Sequence, residues 1–178
     1  NSMSTASEVV YGDLTFTDTH PALTSAIAAV RGLHTPPVEH ARILELGCGT
    51  GFNLLAISES LPNAQCTGID ISSKHIERAR AVAAAIDARN VEFHCLSIAD
   101  YHPGPNTFDY IIAHGLYSWV PSDIRDAILS LIRRALEGRR REEAVIATKG
   151  GIHYNAAGKQ EQGGRPETIA RECDESLA

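Results

Sequence analysis

Hydrophobic residues along the chain follow two alternating patterns, one typical of buried strands and one typical of helices. Short apolar runs predict five strands, at about residues 42–46, 65–70, 91–95, 108–115 and 144–149. Spacings of three and four residues between these runs predict helices that start near residues 21, 52, 73 and 122. Strands that alternate with helices form a parallel sheet covered on both faces, so the predicted fold class is α/β, with a Rossmann-like, doubly wound, mainly parallel sheet.

The predicted helices have recognisable starts and apolar faces. The first opens at Thr19-His20-Pro21, the third is capped by Ser72 or Ser73, and the fourth is capped by Ser122. Helical spacing gives the first helix one apolar face of Leu23, Ile27 and Val30, and the third helix one of Ile76, Ala79, Ala83 and Ile86. In the fourth helix, we expect Ile124, Ile128, Leu131 and Ala135 to face the core.

A glycine-rich turn joins the first strand to the second predicted helix. Gly47, Gly49 and Gly51 let the chain turn sharply and bring backbone N–H groups close to a ligand. The spacing is neither that of the dinucleotide fingerprint nor that of a phosphate-binding P-loop. Glu45, just before the turn, would repel a pyrophosphate, whereas it is suited to accept hydrogen bonds from an ammonium group.

An acidic residue ends the second predicted strand. Asp70 lies 19 residues after Gly51, which is the place of the ribose-binding carboxylate in nucleotide-binding α/β folds. Taken alone, Asp70 is better explained as a helix-capping or turn residue. Together with Glu45 and the glycines, the ligand interpretation is favoured.

The fourth predicted strand ends where cofactor and substrate meet in this architecture. His114 and Tyr117 follow it and are candidates for orienting a substrate or removing a proton. The alternative is a hydrogen-bonded scaffold histidine next to Trp119, a packing residue.

Composition excludes several functional classes. A length of 178 residues favours one domain, and the net charge of −6 argues against a nucleic-acid partner. Four cysteines without a C-x-x-C pair predict reduced thiols, no metal site and a cytoplasmic location. No long apolar run or signal peptide is present, so no membrane association is expected.

The pattern Glu45-x-Gly47-x-Gly49-x-Gly51 resembles motif I of the class I S-adenosylmethionine (SAM) dependent methyltransferases. The resemblance implies SAM as cofactor and S-adenosylhomocysteine (SAH) as product. Glu45 would hold the methionine ammonium, Asn53 its carboxylate, Asp70 the ribose and Ile71 the adenine. The remaining cofactor contacts it implies come from Leu46, Gly47, Cys48, Gly49, Gly51, Leu96, Ser97 and His114.

A narrower resemblance covers about residues 10–137. His20-Pro21, the stretch 45–49 and the stretch 113–121 look like a bacterial group that usually carries a methyltransferase regulatory domain, and some members methylate protein lysines. The methyl acceptor is therefore left open between a small molecule and a protein side chain. Ser97 stands where the family usually has an adenine-binding Asp or Glu, and Asp100 comes three residues later.

The last 40 or so residues resemble a different family. Val145–Gly151, Arg165–Ile169 and Cys173–Leu177 look like an internal piece of an aldo-keto reductase barrel. Lys149 would match that family's active-site lysine, but its partner segments are absent, so we assign Lys149 no catalytic role. We expect a methyltransferase domain over 1–149, shortened after its fifth strand, and a tail over 150–178 that is partly helical from Pro166 or disordered, as in a fusion or shortened product.

Two further functions remain open for such a chain. One is binding of SAM or SAH without turnover, and the other is an interaction module that uses an exposed sheet edge. A fifth strand over Ala144–Thr148 without neighbours would leave unpaired backbone groups. Either the tail from Gly150 folds back over this edge or two chains pair their edges, and the few apolar groups of the tail favour the homodimer.

Overall fold

The computed structural model describes residues 13–117, 120–135, 137, 152–154 and 160–162. The chain divides into two compact units, Asn1–Val145 and Ile146–Ala178. Within the described ranges, no helix combines the length and the apolar character that a membrane crossing needs.

The first unit alternates helices and strands as the hydrophobic pattern predicts. Its main elements, in chain order, are α1 (Pro21–Val30), β1 (Arg42–Leu46), α2 (Phe52–Ser60), β2 (Gln65–Asp70), α3 (Ser73–Ala85), β3 (Val91–Cys95), β4 (Tyr110–Ile112) and α4 (Ser122–Ala135). Short 3₁₀ turns lie at Thr17–Thr19, Val38–His40 and Ile98–Asp100.

The four strands form one sheet in the order β3-β2-β1-β4, and every pairing is parallel. Chain order reverses between β1 and β4, so the carboxyl ends of these two strands flank the crevice where such folds bind ligands. The α/β, Rossmann-like prediction is confirmed.

Alternating side chains of the strands build two cores, one on each face of the sheet. On one face, Ile43 and Cys66 pack with buried residues of α2 and α3, such as Leu54 and Ile76. On the other face, Leu44 and Leu46 pack with Ile128 and Leu131 of α4 and with neighbouring apolar residues. β1 therefore lies between two packed layers, which fix the position of the glycine turn at its end.

Burial in α1 and α3 does not follow the apolar faces of the sequence pattern throughout. Helix α1 forms, but Leu23, Ile27 and Val30 are exposed, and Pro21 and Ala28 are its buried residues. Ile86 lies at the carboxyl-terminal cap of α3 and is also exposed.

The predicted bounds after β3 also change. β4 covers only Tyr110–Ile112 of the apolar run 108–115, and Gly115 has a φ of 63°, which an extended strand does not adopt. Ser122 lies inside the first turn of α4, since Ile124 and Arg125 both donate backbone hydrogen bonds to the carbonyl of Pro121.

The second unit contains a feature that the sequence pattern did not predict. Ile152–Tyr154 (β5) and Gln160–Gln162 (β6) pair as antiparallel strands. The predicted fifth strand of the sheet at 144–149, Lys149, Trp119 and the predicted helix from Pro166 lie outside the described residues.

Candidate functional site

The turn between β1 and α2 depends on three glycines in the left-handed region. Gly47, Gly49 and Gly51 have φ angles of 66°, 54° and 78°, which other residues rarely adopt. A Cβ on Gly51 would lie 2.7 Å from the Phe93 ring, so this glycine allows close packing. A Cβ on Gly49 would meet no atom within 4 Å, so this glycine leaves open space beside the turn.

Glu45 is buried at the carboxyl end of β1 and is held by Asn53 of α2. The Asn53 Nδ2 donates a 2.7 Å hydrogen bond to Glu45 Oε1 and a 3.0 Å bond to the Thr19 hydroxyl. The Asn53 Oδ1 accepts a 2.8 Å bond from the backbone N–H of Phe16. These bonds occupy the Asn53 amide within the protein, so its side chain orders Glu45.

The second carboxylate oxygen of Glu45 has no hydrogen-bond partner among the described residues, although it is fully buried. Burial raises the pKa of Glu45 to about 7, and the bond from Asn53 opposes this shift. A buried acceptor without a donor is costly and marks a place where a donor from outside the protein would be stabilising.

Asp70, at the end of β2, connects the glycine turn to the start of α3. Its Oδ2 accepts a 2.9 Å bond from the N–H of Gly49, and its Oδ1 accepts a 2.8 Å bond from the N–H of Ser72. A carboxylate has about four lone-pair sites, so Asp70 retains the capacity to accept bonds from a ligand. The bond from Ser72 is that of a turn or capping residue, and the remaining lone pairs leave room for a ligand. The two interpretations of Asp70 from the sequence are therefore compatible.

Next to Asp70, Ile71 exposes 67% of its surface although it is a large apolar residue. Leu96 lies beside it, with its N–H bonded to the carbonyl of Asp70. Ser97 caps the short turn Ile98–Asp100 by accepting a bond from the Ala99 N–H, and Asp100 is exposed within that turn. The structure thus gives Ser97 a local capping role.

His114 and Tyr117 both follow β4 and are partly buried. The His114 ring lies 4.1 Å from the ring of Phe16, between ring centres, at a tilt of 40°. The guanidinium carbon of Arg125 lies 5.9 Å from the centre of the Tyr117 ring. The two side chains thus contact different neighbours, Phe16 for His114 and Arg125 for Tyr117.

Sequence analysis missed the segment that precedes α1. Asp13 accepts a hydrogen bond from the Thr50 hydroxyl and pairs with Arg78, and Phe16 and Thr19 bond to Asn53. These residues lie in a polar stretch without periodicity, so no pattern distinguished them.

His75, in α3, was missed as well. It is buried, and its Nδ1 lies 3.6 Å from Asp70 Oδ1, which is beyond hydrogen-bond length. From the sequence alone, a histidine three residues after a serine cap cannot be distinguished from an ordinary helical residue.

The thiol of Cys48 contributes packing instead of reactivity. Burial, together with the carboxylates of Glu45 and Asp70, raises its pKa, so it stays protonated at neutral pH. Cys48 belongs to the core on the α2 side of the sheet, and its N–H bonds to the carbonyl of Ile69. Among the described residues, no group of His, Cys, Asp and Glu side chains is arranged to hold a metal ion.

Comparison with known proteins identifies the family. The family described as "Methyltransferase domain" matches residues 43–138, from β1 to the end of α4. A protein of Rickettsia prowazekii is 40% identical over 129 residues, which cover 72% of this chain and 52% of that protein. The malonyl-[acyl-carrier protein] O-methyltransferase of Bacillus anthracis is 34% identical over 90 residues, covering 51% of this chain and 32% of that enzyme.

Among solved structures, PKMT2 from Rickettsia typhi in complex with AdoHcy matches with a TM-score of 0.66 and 38% identity. The match covers 70% of this chain and 24% of that one. The chain thus spans about half of one relative and about a quarter of the other. On the family match and this structural likeness together, the chain belongs to the methyltransferase-domain family, of the class I SAM-dependent kind.

Proposed function

We propose that this chain binds SAM in the crevice between β1 and β4 and transfers its methyl group to an acceptor that is either a small molecule or a protein side chain. The observation that carries the proposal is the buried, unpartnered Oε2 of Glu45 beside the glycine turn. The AdoHcy bound to PKMT2 supports the choice of ligand. SAM and SAH both carry an ammonium group, which supplies the donor that this oxygen lacks.

The rest of the crevice fits the other parts of the cofactor. Asp70 is placed to accept hydrogen bonds from ribose hydroxyls while it holds the N–H groups of Gly49 and Ser72. Ile71 offers an exposed apolar surface for the adenine ring, and Leu96 lies at the same edge. The open space at Gly49 admits a ligand close to the backbone.

The start of α2 suits the carboxylate of the methionine part. Gly51 precedes the helix and provides no side-chain cap for its first turn. N–H groups at a helix start favour a negative charge. This assignment replaces Asn53, whose amide is held by Glu45, Thr19 and Phe16.

When bound, SAM supplies a sulfonium methyl group that moves to a nucleophile by in-line displacement. The protein then has to hold the acceptor in line and keep water away. His114 and Tyr117, which follow β4 at the same end of the sheet, are the residues that we assign to orienting the acceptor or receiving its proton.

Two measurements test the proposal. Isothermal titration of the purified chain should show SAH binding, and mass spectrometry of the supernatant after denaturation should detect retained SAM or SAH. NADPH binding in place of SAH would contradict the proposal, and binding of neither ligand would favour an interaction module.

Turnover needs its own test. Transfer of labelled methyl from SAM to peptides or small molecules should be detectable in a mixed acceptor panel. SAH binding without transfer to any acceptor, including protein extracts, would favour a SAM/SAH-binding protein without turnover.

A further inference from the structure

The segment Asp13–His20, here called the strap, is tied at its two ends to the glycine turn, to α3 and to α2. At its start, Asp13 accepts a hydrogen bond from Thr50 in the glycine turn and forms an ion pair with Arg78 of α3. At its end, the ring of His20 bonds to the Ser60 hydroxyl at 2.8 Å. Between these ends, Phe16 and Thr19 bond to Asn53, which in turn bonds to Glu45 of β1.

The middle of the strap contacts the two sides of the crevice. The N–H of Phe16 bonds to Asn53, which also holds Glu45, on the β1 side. The ring of Phe16 packs on His114, on the β4 side. The same residue therefore joins the Glu45 end and the His114 end of the crevice, with its main chain on one and its side chain on the other.

The contacts of Asn53 connect the position of the strap to ligand binding at Glu45. The Asn53 Nδ2 is shared between Glu45 and the hydroxyl of Thr19, and that hydroxyl also donates to the carbonyl of Phe16. Movement of the strap would release Asn53, and release of Asn53 would leave Glu45 Oε1 without a donor. A ligand ammonium that fixes Glu45 thus favours the closed strap.

We propose that the strap closes over bound SAM or SAH and that Phe16 is a positioning residue, which holds His114 and slows escape of the ligand. This inference rests on the proposed function. Its consequence is kinetic, since a closed strap must open before the ligand leaves.

The first test measures SAH dissociation from the full chain by surface plasmon resonance. Phe16→Ala and Thr19→Val should release SAH roughly threefold to tenfold faster, as expected for loss of an aromatic pair or a buried hydrogen bond. Phe16→Leu keeps the apolar volume and should give a smaller change. Leu14→Ala is the matched control, because Leu14 lies in the same segment and exposes 57% of its surface.

The second test uses chymotrypsin, which cleaves after aromatic residues and, more slowly, after leucine. Saturating SAH should slow cleavage after Phe16, followed by mass spectrometry, while cleavage after the exposed Leu33 provides the internal reference. Slower dissociation in the parent chain than in the Phe16 and Thr19 variants, with protection of Phe16, supports the strap.

The outcomes separate the strap from the proposed function. If the parent chain binds SAH but Phe16→Ala, Phe16→Leu, Thr19→Val and Leu14→Ala all release it at the parent rate, the strap is wrong and SAH binding stands. Equal cleavage after Phe16 with and without SAH would also contradict the strap and leave SAH binding intact. If the parent chain binds no SAH, the proposed function fails and the strap inference falls with it.

Discussion

At the scale of single residues, Glu45 lowers the stability of the fold and serves ligand binding. A carboxylate buried to 5% exposure, with one oxygen unpartnered, is unfavourable in the ligand-free fold. A cationic ligand group that binds Oε2 would explain why a carboxylate stands at this buried position. The matching amide side chain, glutamine, tests both halves of this argument.

Glu45→Gln should bind SAH more weakly and unfold less readily at pH 8. Loss of a charge-assisted bond to the ammonium should weaken affinity by about 1.5–3 kcal/mol. The pKa of Glu45 rises to about 7 in the fold, so charging it costs up to about 3 kcal/mol of folding free energy above that pH. Calorimetric titration and urea unfolding measure the two effects.

The sign of the pH dependence follows from the direction of the shift. A raised pKa means that the fold binds the proton more tightly than the unfolded chain, so this stability is complete below about pH 4.5 and is lost as pH rises to about 7. The gap between Glu45→Gln and the parent should therefore close at low pH. Glu59→Gln, the same substitution at an exposed position of α2, is the control. An equal gap at both pH values would contradict the assignment.

Gly49→Ala should lower SAH affinity beyond its effect on stability. Its φ of 54° makes the substitution strained by about 1 kcal/mol, while its Cβ would project into open space beside the turn. Gly32→Ala is a matched control, because Gly32 has a φ of 72° and equally open surroundings at the end of α1. Thermal unfolding should show similar losses in both, and titration should show weaker SAH binding in Gly49→Ala alone. Equal SAH affinity in the two variants would show that the turn is only structural.

At the scale of secondary-structure elements, Asn90 ties the end of α2 to the start of β2 and β3. Its Nδ2 donates to the carbonyls of Ser58, Leu61 and Ala64, at 3.0, 3.0 and 3.1 Å. These carbonyls belong to the last turn of α2 and the loop that follows it. One side chain thus supplies donors to carbonyls at the end of α2 that the helix itself leaves without an N–H partner.

Asn90→Ala should destabilise the fold by about 1–3 kcal/mol, because up to three part-buried carbonyls lose a donor. The SAH affinity should remain that of the parent chain, since Asn90 lies at the opposite end of α2 from the glycine turn. Urea unfolding and SAH titration check the two expectations. A large loss of affinity in a folded variant would contradict this separation of structure and site.

At the scale of the whole molecule, every candidate site residue belongs to the first compact unit. A chain that ends at residue 145 should therefore bind SAH with the affinity of the full chain. The family match, which ends at residue 138, leads to the same expectation. Isothermal titration of both forms is the measurement, with circular dichroism to show that the shortened form is folded. Loss of binding in a folded shortened chain would assign the tail a part in the site.

The predicted homodimer is also tested at this scale. Light scattering should report twice the 19.2 kDa chain mass. Charged substitutions on the predicted edge, such as Val145→Lys, should return the mass to that of one chain, because a lysine on an edge strand disfavours pairing. A monomeric parent chain would contradict the dimer.

The sequence by itself determined β1, β2 and β3, the existence of β4, the glycine turn and the placement of Glu45 and Asp70 at strand ends. These features follow from local causes, namely the two hydrophobic periods and the need for glycine at positive φ. The alternation of strands and helices along the chain then favoured a parallel sheet, because a helix that connects two strands brings them side by side in the same direction, with a right-handed crossover.

Only the tertiary structure decided which surfaces are covered and which polar atoms are paired. Helix α1 has its apolar stripe at Leu23, Ile27 and Val30, yet packing buries Pro21 and Ala28 instead. Asn53, which holds Glu45, is itself bound by Phe16 across 37 residues of chain, and Phe16 meets His114 across 98 residues. Such contacts depend on where distant segments meet in space, and periodicity within a segment carries no information about them.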